Sequence, residues 1–302
     1  IPVALFRPMA SLLVIIVIVR TLLDSELARF QYNSSYEIAW YFWYLYTFGL
    51  PLLAFGAAWY WFSRKKEDYL NSLLESGAIL FWLGLLSQIA HRAMADELSL
   101  SWWSFTPEEF ALQMVLWLLN ALALYWLSTR RPGRVREIAW RILLVCSLAV
   151  LLGGVVLILN PLVVGTAGGW YLINWLSFTY LVPAVIGLVW LKVLREGHRK
   201  YANWIKALAG FLAFLYLNLE IRFAFNGEDM QFGSASDAEI YTYSVGWILF
   251  AAAGMVYGIW WRSRVARQAA LLLLLATVVK VFVFDMSALD GLLRALSFLG
   301  LG

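Results

Sequence analysis

Apolar residues in this chain come in long runs divided by short polar stretches, with no alternation of period two. Nine runs reach the roughly 20 mainly apolar residues a helix needs to cross a bilayer's hydrocarbon core. They lie at about 4–23, 38–62, 69–90, 108–127, 138–159, 170–191, 201–223, 240–261 and 266–285. The alternating ten-residue segments of a membrane β-barrel do not occur. Backbone groups in lipid must be satisfied internally, which leaves helices. The pattern predicts an all-α polytopic transmembrane bundle of about nine spans, one domain over 1–302.

The polar punctuation alternates in sign. Arg64, Lys65 and Lys66 follow the second run, and Arg130, Arg131, Arg134 and Arg136 the fourth. Lys192, Arg195, Arg199 and Lys200 follow the sixth, and Arg262, Arg264 and Arg267 the eighth. These loops hold 14 of the 23 basic residues. The loops between them carry Asp24, Glu26 and Glu37, then Asp96, Glu97, Glu108 and Glu109, then Glu228, Asp229, Asp237 and Glu239. The positive-inside rule puts the amino-terminal end and the basic loops in the cytoplasm, and the acidic loops outside. Trp-Tyr clusters such as Trp59, Tyr60 and Trp61 near span ends read as an interfacial aromatic belt.

Composition narrows the class further. Of 302 residues, 63% are hydrophobic and 14% charged, and the mean hydropathy is +0.74. A soluble domain carries about 25% charged residues, so neither a water-soluble globule nor a disordered chain fits. A single Cys146 excludes a disulfide scaffold. The net charge of +4 sits in short loops rather than on one patch, so nucleic acid is not an expected partner; membrane lipids and other membrane or envelope proteins are. The chain opens on Ile1 and closes within the apolar run Leu296–Gly302, which suggests a segment of a longer protein.

A shift of about 132 residues brings one half of the chain onto the other. Pro51 falls on Pro183, Trp43 on Trp175, Thr47 on Thr179, Tyr69 on Tyr201, Gln88 on Glu220 and Arg130 on Arg262, with Arg92 and Arg222 close behind. The loop signs repeat too. A repeat of four helices restores orientation, so the copies would be parallel: about 5–136 and 137–268, with 269–302 starting a further copy. Pro51 and Pro183 each remove a helical hydrogen bond and bend their spans.

The carboxyl end reads Lys280-Val281-Phe282-Val283-Phe284-Asp285, then Leu289, Gly291-Leu292-Leu293-Arg294 and Leu296-Ser297-Phe298-Leu299-Gly300-Leu301-Gly302. Upstream lie Asn160-Pro161, Asn174 with Tyr180 and Pro183, Glu220-x-Arg222 with Phe225 and Gly227-Glu228, and Ser244 with Trp247. This set resembles the bacterial membrane-protein family catalogued as domain of unknown function 2339. The resemblance implies a multi-pass protein of the bacterial inner membrane, and members longer than this chain. It implies no activity.

Candidate chemistry is sparse. His91 and His198 are not at ligand spacing, and no zinc, phosphate-loop or nucleophile-elbow motif occurs, so neither a metal nor a cofactor is expected. The glycine-rich stretch Gly165-Thr166-Ala167-Gly168-Gly169 reads as a flexible connector. Ionisable groups inside spans are the default functional lead. Arg20, Asp24, Glu220, Arg222, Lys280, Asp285 and Arg294, with Asn160 and Asn174, all fall near the outer ends of their runs. Each also has an architectural reading. Lys280 can snorkel, Arg20 and Asp24 can pair four residues apart, and Glu220 and Arg222 point different ways and each need a partner on another helix. Glu75 and Lys206 read as plain interface charges, and Gly254-x-x-x-Gly258 as a close helix contact.

Three functions fit. First stands a non-catalytic envelope scaffold or subunit of a membrane assembly. The second is a transporter or conduit for a small or lipid-like solute. The third is an enzyme on a lipid-linked envelope substrate, with Glu220, Asp285 or Asp24 as base and Arg222, Lys280 and Arg294 holding an anionic head group.

Overall fold

The computed structural model describes residues 11–19, 40–62, 69–94, 106–165, 170–231 and 234–283. Of the candidate residues, Arg20, Asp24, Asp285 and Arg294 lie outside them. The described residues are helical, apart from turns and one isolated bridge. By contacts the chain divides into two compact units, Ile1–Leu157 and Ile158–Gly302.

In the first unit, α1 covers 11–19. Helix α2 is assembled from Trp40–Tyr44, a π-helical turn Leu45–Gly49 and Leu50–Phe62. The others are α3 (Tyr69–Met94), α4 (Pro107–Arg130) and α5 (Arg134–Ile158), the last nine residues of α5 being π-helical. Val14 of α1, Phe55 of α2 and Leu70, Leu74 and Phe81 of α3 form one buried cluster. The Phe55 ring lies over Gly77, whose Cβ would sit 2.3 Å from it, so only glycine allows this approach. Helices α3 and α4 are tied by Trp82 Nε1 donating to Asn120 Oδ1 at 2.8 Å, and α4 meets α5 through the edge-to-face pair Tyr125–Trp140.

The second unit begins with a single turn, Pro161–Val164, followed by α6 (Ser177–Val193), α7 (Ala202–Asn226), α8 (Asp237–Trp260) and α9 (Arg264–Val283). Helix α6 opens with the π-helical turn Ser177–Leu181, immediately before Pro183 at its second following position. The π turn of α2 stands in the same relation to Pro51, 132 residues earlier. A π turn leaves carbonyls without the usual i+4 donor, the accommodation a membrane helix makes around proline. Asn218 Oδ1 accepts from Trp247 Nε1 at 2.8 Å and joins α7 to α8. Helices α8 and α9 approach closely at Gly258, where a Cβ would lie 2.6 Å from Arg267 Cγ and 2.9 Å from its backbone nitrogen.

Among the described residues six helices are long and apolar enough to cross a membrane: Tyr69–Met94, Pro107–Arg130, Arg134–Ile158, Glu196–Asn226, Asp237–Trp260 and Arg264–Val283. Their outward faces carry large apolar side chains such as Val145, Leu157, Leu249 and Leu272. The expected span at 170–191 is the one that differs most. Residues 170–174 are not helical, because Asn174 Oδ1 takes the N–H of Ser177 and Ser177 Oγ takes that of Asn174, which caps α6 at this point.

Candidate functional site

The polar groups of the second unit collect at the ends of α7, α8 and α9 that bear Asn226, Asp237 and Lys280. Gly227, with a φ of 62°, closes α7 by donating to the Phe223 carbonyl, and the chain turns back through Met230. This return places the Met230 carbonyl 3.3 Å from Arg222 Nε. Helix α8 starts at Ser236, whose hydroxyl accepts from the Glu239 N–H at 3.2 Å. Glu239 is the third helical residue, the place where an S/T-x-x-E sequence usually folds its carboxylate back over the cap. Here the carboxylate turns inward instead. Arg222 Nη1 lies 3.0 Å from both of its oxygens, and Asn226 Nδ2 and Tyr243 Oη each donate to it at 3.2 Å. Glu239 is 2% exposed, so this is a desolvated ion pair with its lone pairs engaged.

Glu220 is buried two residues earlier on α7 and faces elsewhere. Its oxygens accept from the Leu172 N–H at 2.7 Å and from Asn174 Nδ2 at 2.9 Å. Tyr216, one turn down the same helix, donates to the Leu172 carbonyl at 3.2 Å. Trp170–Ile173 is thereby held as a β-turn, with Ile173 N–H donating to the Trp170 carbonyl and Leu172 at a φ of 67°. A left-handed leucine is uncommon, and the Glu220 carboxylate fixes its amide in place.

Lys280 bridges α9 to α8, its Nζ 3.0 Å from the Ile240 carbonyl and 2.6 Å from Ser244 Oγ. Ile240 follows Glu239, so the ammonium and the ion pair occupy neighbouring levels. Asn160 caps Pro161–Val164 through its side-chain oxygen and the Leu162 N–H at 3.0 Å. Of the predicted residues, the structure thus joins Glu220 with Asn174, gives Arg222 the partner Glu239 on α8, anchors Lys280 on α8, and uses Asn160 as a cap.

The loop charges give Glu239 only as a loop acid, and the first unit holds a matching pair that they do not reveal. Thr106 caps α4 by accepting from Glu109 N–H at 3.2 Å, and the Glu109 carboxylate, 2% exposed, meets His91 Nδ1 at 2.6 Å. The partner at this level is His91, not Arg92. The signal available in sequence was the pair Thr106-x-x-Glu109 and Ser236-x-x-Glu239, 130 residues apart. Glu75 also differs from expectation. It is no plain interface charge but a half-buried partner of Arg136, with Nε 2.9 Å from its Oε1, and so fastens α3 to the start of α5.

Among the described residues no group of three or more His, Cys, Asp or Glu converges as a metal site would. Chemically, the site offers carboxylates and cations already engaged with one another or with the backbone. Comparison with curated proteins finds no match, and comparison with solved structures finds none. A family model does match, over residues 2–302, nearly the whole chain. The chain belongs to the DUF2339 family of predicted membrane proteins.

Proposed function

We propose that this chain is a non-catalytic scaffold or subunit of an assembly in the bacterial inner membrane. In this reading nine spans cross the bilayer, with the basic loops in the cytoplasm. They form two parallel four-helix copies. The equal placement of π turns before Pro51 and Pro183, and of the capped glutamates Glu109 and Glu239, supports the duplication. One observation carries the functional reading. Arg222, Glu239, Glu220 and Lys280 each hold one element of the fold to another, while large apolar side chains dominate the outward helix faces. An ion pair engaged in this way is an architectural part, and wide apolar faces suit lipid and neighbouring membrane polypeptides.

The test is extraction of the full chain from native membrane directly into nanodiscs, followed by native mass spectrometry. The expected result is a second polypeptide at fixed stoichiometry. A single chain with lipid alone, together with solute flux or turnover after reconstitution, overturns the proposal.

One observation favours the conduit reading as the alternative. A wide, open apolar groove of about 770 Å³ lies where the π turn of α2 meets α3, lined by Phe42, Trp43, Tyr46, Gly49, Leu53 and Leu85. Its lining would admit an acyl chain rather than a polar solute.

A further inference from the structure

We infer that the turn Trp170–Ile173 is an interfacial wedge: non-helical backbone inserted into the bilayer leaflet beside α7, with lipid as its partner and Glu220 as the residue that positions it. The inference rests on α6 and α7 spanning the membrane and is independent of the assembly proposed above.

Depth is the first argument. With Trp175 and Leu176, which are also helical, Ser177–Val193 gives 19 helical residues, about 28 Å, close to a hydrocarbon core about 30 Å thick. The turn before it thus falls at the edge of that core. The turn lies against α7 between Tyr216, whose hydroxyl donates to Leu172, and Phe223, whose ring meets Tyr171 at 5.9 Å. Those contacts fall three to ten residues before Asn226, roughly 5–15 Å below the end of α7. The buried Arg222–Glu239 pair stands at the same level and marks where polarity begins.

Satisfaction of the backbone is the second argument. Irregular backbone at membrane depth persists only where its polar groups are met by protein. Ile173 N–H bonds Trp170 within the turn, Leu172 N–H bonds Glu220, Leu172 C=O bonds Tyr216, and Asn174 N–H bonds Ser177, while the Tyr171 amide and carbonyl find no partner among the described residues, as suits the head-group level. A buried carboxylate is the acceptor suited to this task, since its second oxygen also holds the Asn174 amide. Composition is the third. Trp170 and Ile173 are 84% and 80% exposed, no charge occurs in the turn, and Trp and Tyr are the side chains enriched where acyl chains meet head groups. Val185 and Val189 of α6 and Phe211 and Phe225 of α7 are exposed apolar side chains as well.

The experiment uses the full chain with Cys146→Ala, reconstituted in bilayers, and nitroxide labels on Trp170→Cys and Ile173→Cys. Collision with oxygen and with a water-soluble nickel chelate is read by power saturation. Labels on Val189→Cys and Arg199→Cys provide lipid and water references. The expected result is oxygen access with little nickel access at both turn positions. Nickel access equal to that at 199, or shielding from both reagents, overturns the inference, since the turn would then face water or protein. A water-exposed label at 189 would instead defeat the spanning of α6, a distinct failure. Glu220→Leu should raise label mobility and nickel access at 173 several-fold while leaving 189 unchanged, and Glu220→Gln, which keeps one acceptor for Leu172, should restore part of the wild-type signal. No change in either variant refutes the positioning role.

Discussion

Replacing Arg222 by Met tests how much of the second unit depends on its buried pair. The substitution keeps a long apolar stem and removes the guanidinium. It deletes two charge-assisted contacts from Nη1 to Glu239, both at 3.0 Å, and the contact from Nε to the Met230 carbonyl. Glu239 stays 2% exposed, with Asn226 and Tyr243 as neutral donors. Breaking a buried pair from one side costs about 3–5 kcal/mol, because the remaining charge has lost its compensation. At roughly 2–4 °C per kcal/mol for a chain segment of this size, Arg222→Met should lower the melting temperature by about 10 °C, read by circular dichroism in detergent. The double variant Arg222→Met, Glu239→Leu removes both charges. Its loss should fall short of the summed single losses by about 2 kcal/mol. The exposed pair Arg199–Glu196 is the internal control, and Arg199→Ala should change stability by less than about 0.5 kcal/mol. If Arg222→Met melted within about 2 °C of the parent, or the losses simply added, the pair would not fasten α7 to α8.

Packing and loop charge set four further outcomes. His91→Leu and Glu109→Gln should each destabilise the first unit, and a double-mutant cycle should return a coupling of at least about 1 kcal/mol, against zero if the 2.6 Å contact is incidental. Gly258→Ala forces a Cβ to 2.9 Å from the Arg267 backbone nitrogen and should cost about 1–3 kcal/mol. Gly254→Ala makes only an ordinary 3.5 Å contact with Ala270 and should be neutral by the same melting measurement. In intact cells carrying Cys146→Ala, a membrane-impermeant maleimide should label Asp229→Cys directly but Arg131→Cys only after permeabilisation; the reverse pattern would invert the proposed orientation.

Membrane class, helical architecture and most helix positions were legible in the linear sequence. Hydropathy is a property of local composition, and helical hydrogen bonds join residues four apart, so α3 to α5 and α7 to α9 lie close to their expected limits. The cap patterns Thr106-x-x-Glu109 and Ser236-x-x-Glu239 stand in the sequence, although the loop charges alone give these glutamates only as loop acids. What each cap glutamate does was not legible. Whether its carboxylate folds back over its own helix or turns inward depends on a side chain supplied by the preceding helix, Arg222 or His91, 17 or 18 residues away, and on how the two helices pack. The run from Trp170 into α6 was misleading for the same reason. Its apolar residues fit a helix as well as a turn, and the choice rests on a carboxylate 48 residues further on, brought beside Leu172 only when α7 packs against α6. Short-range energetics decides which segments become rods; the partner of each buried charge is decided by the burial itself, which no single segment contains.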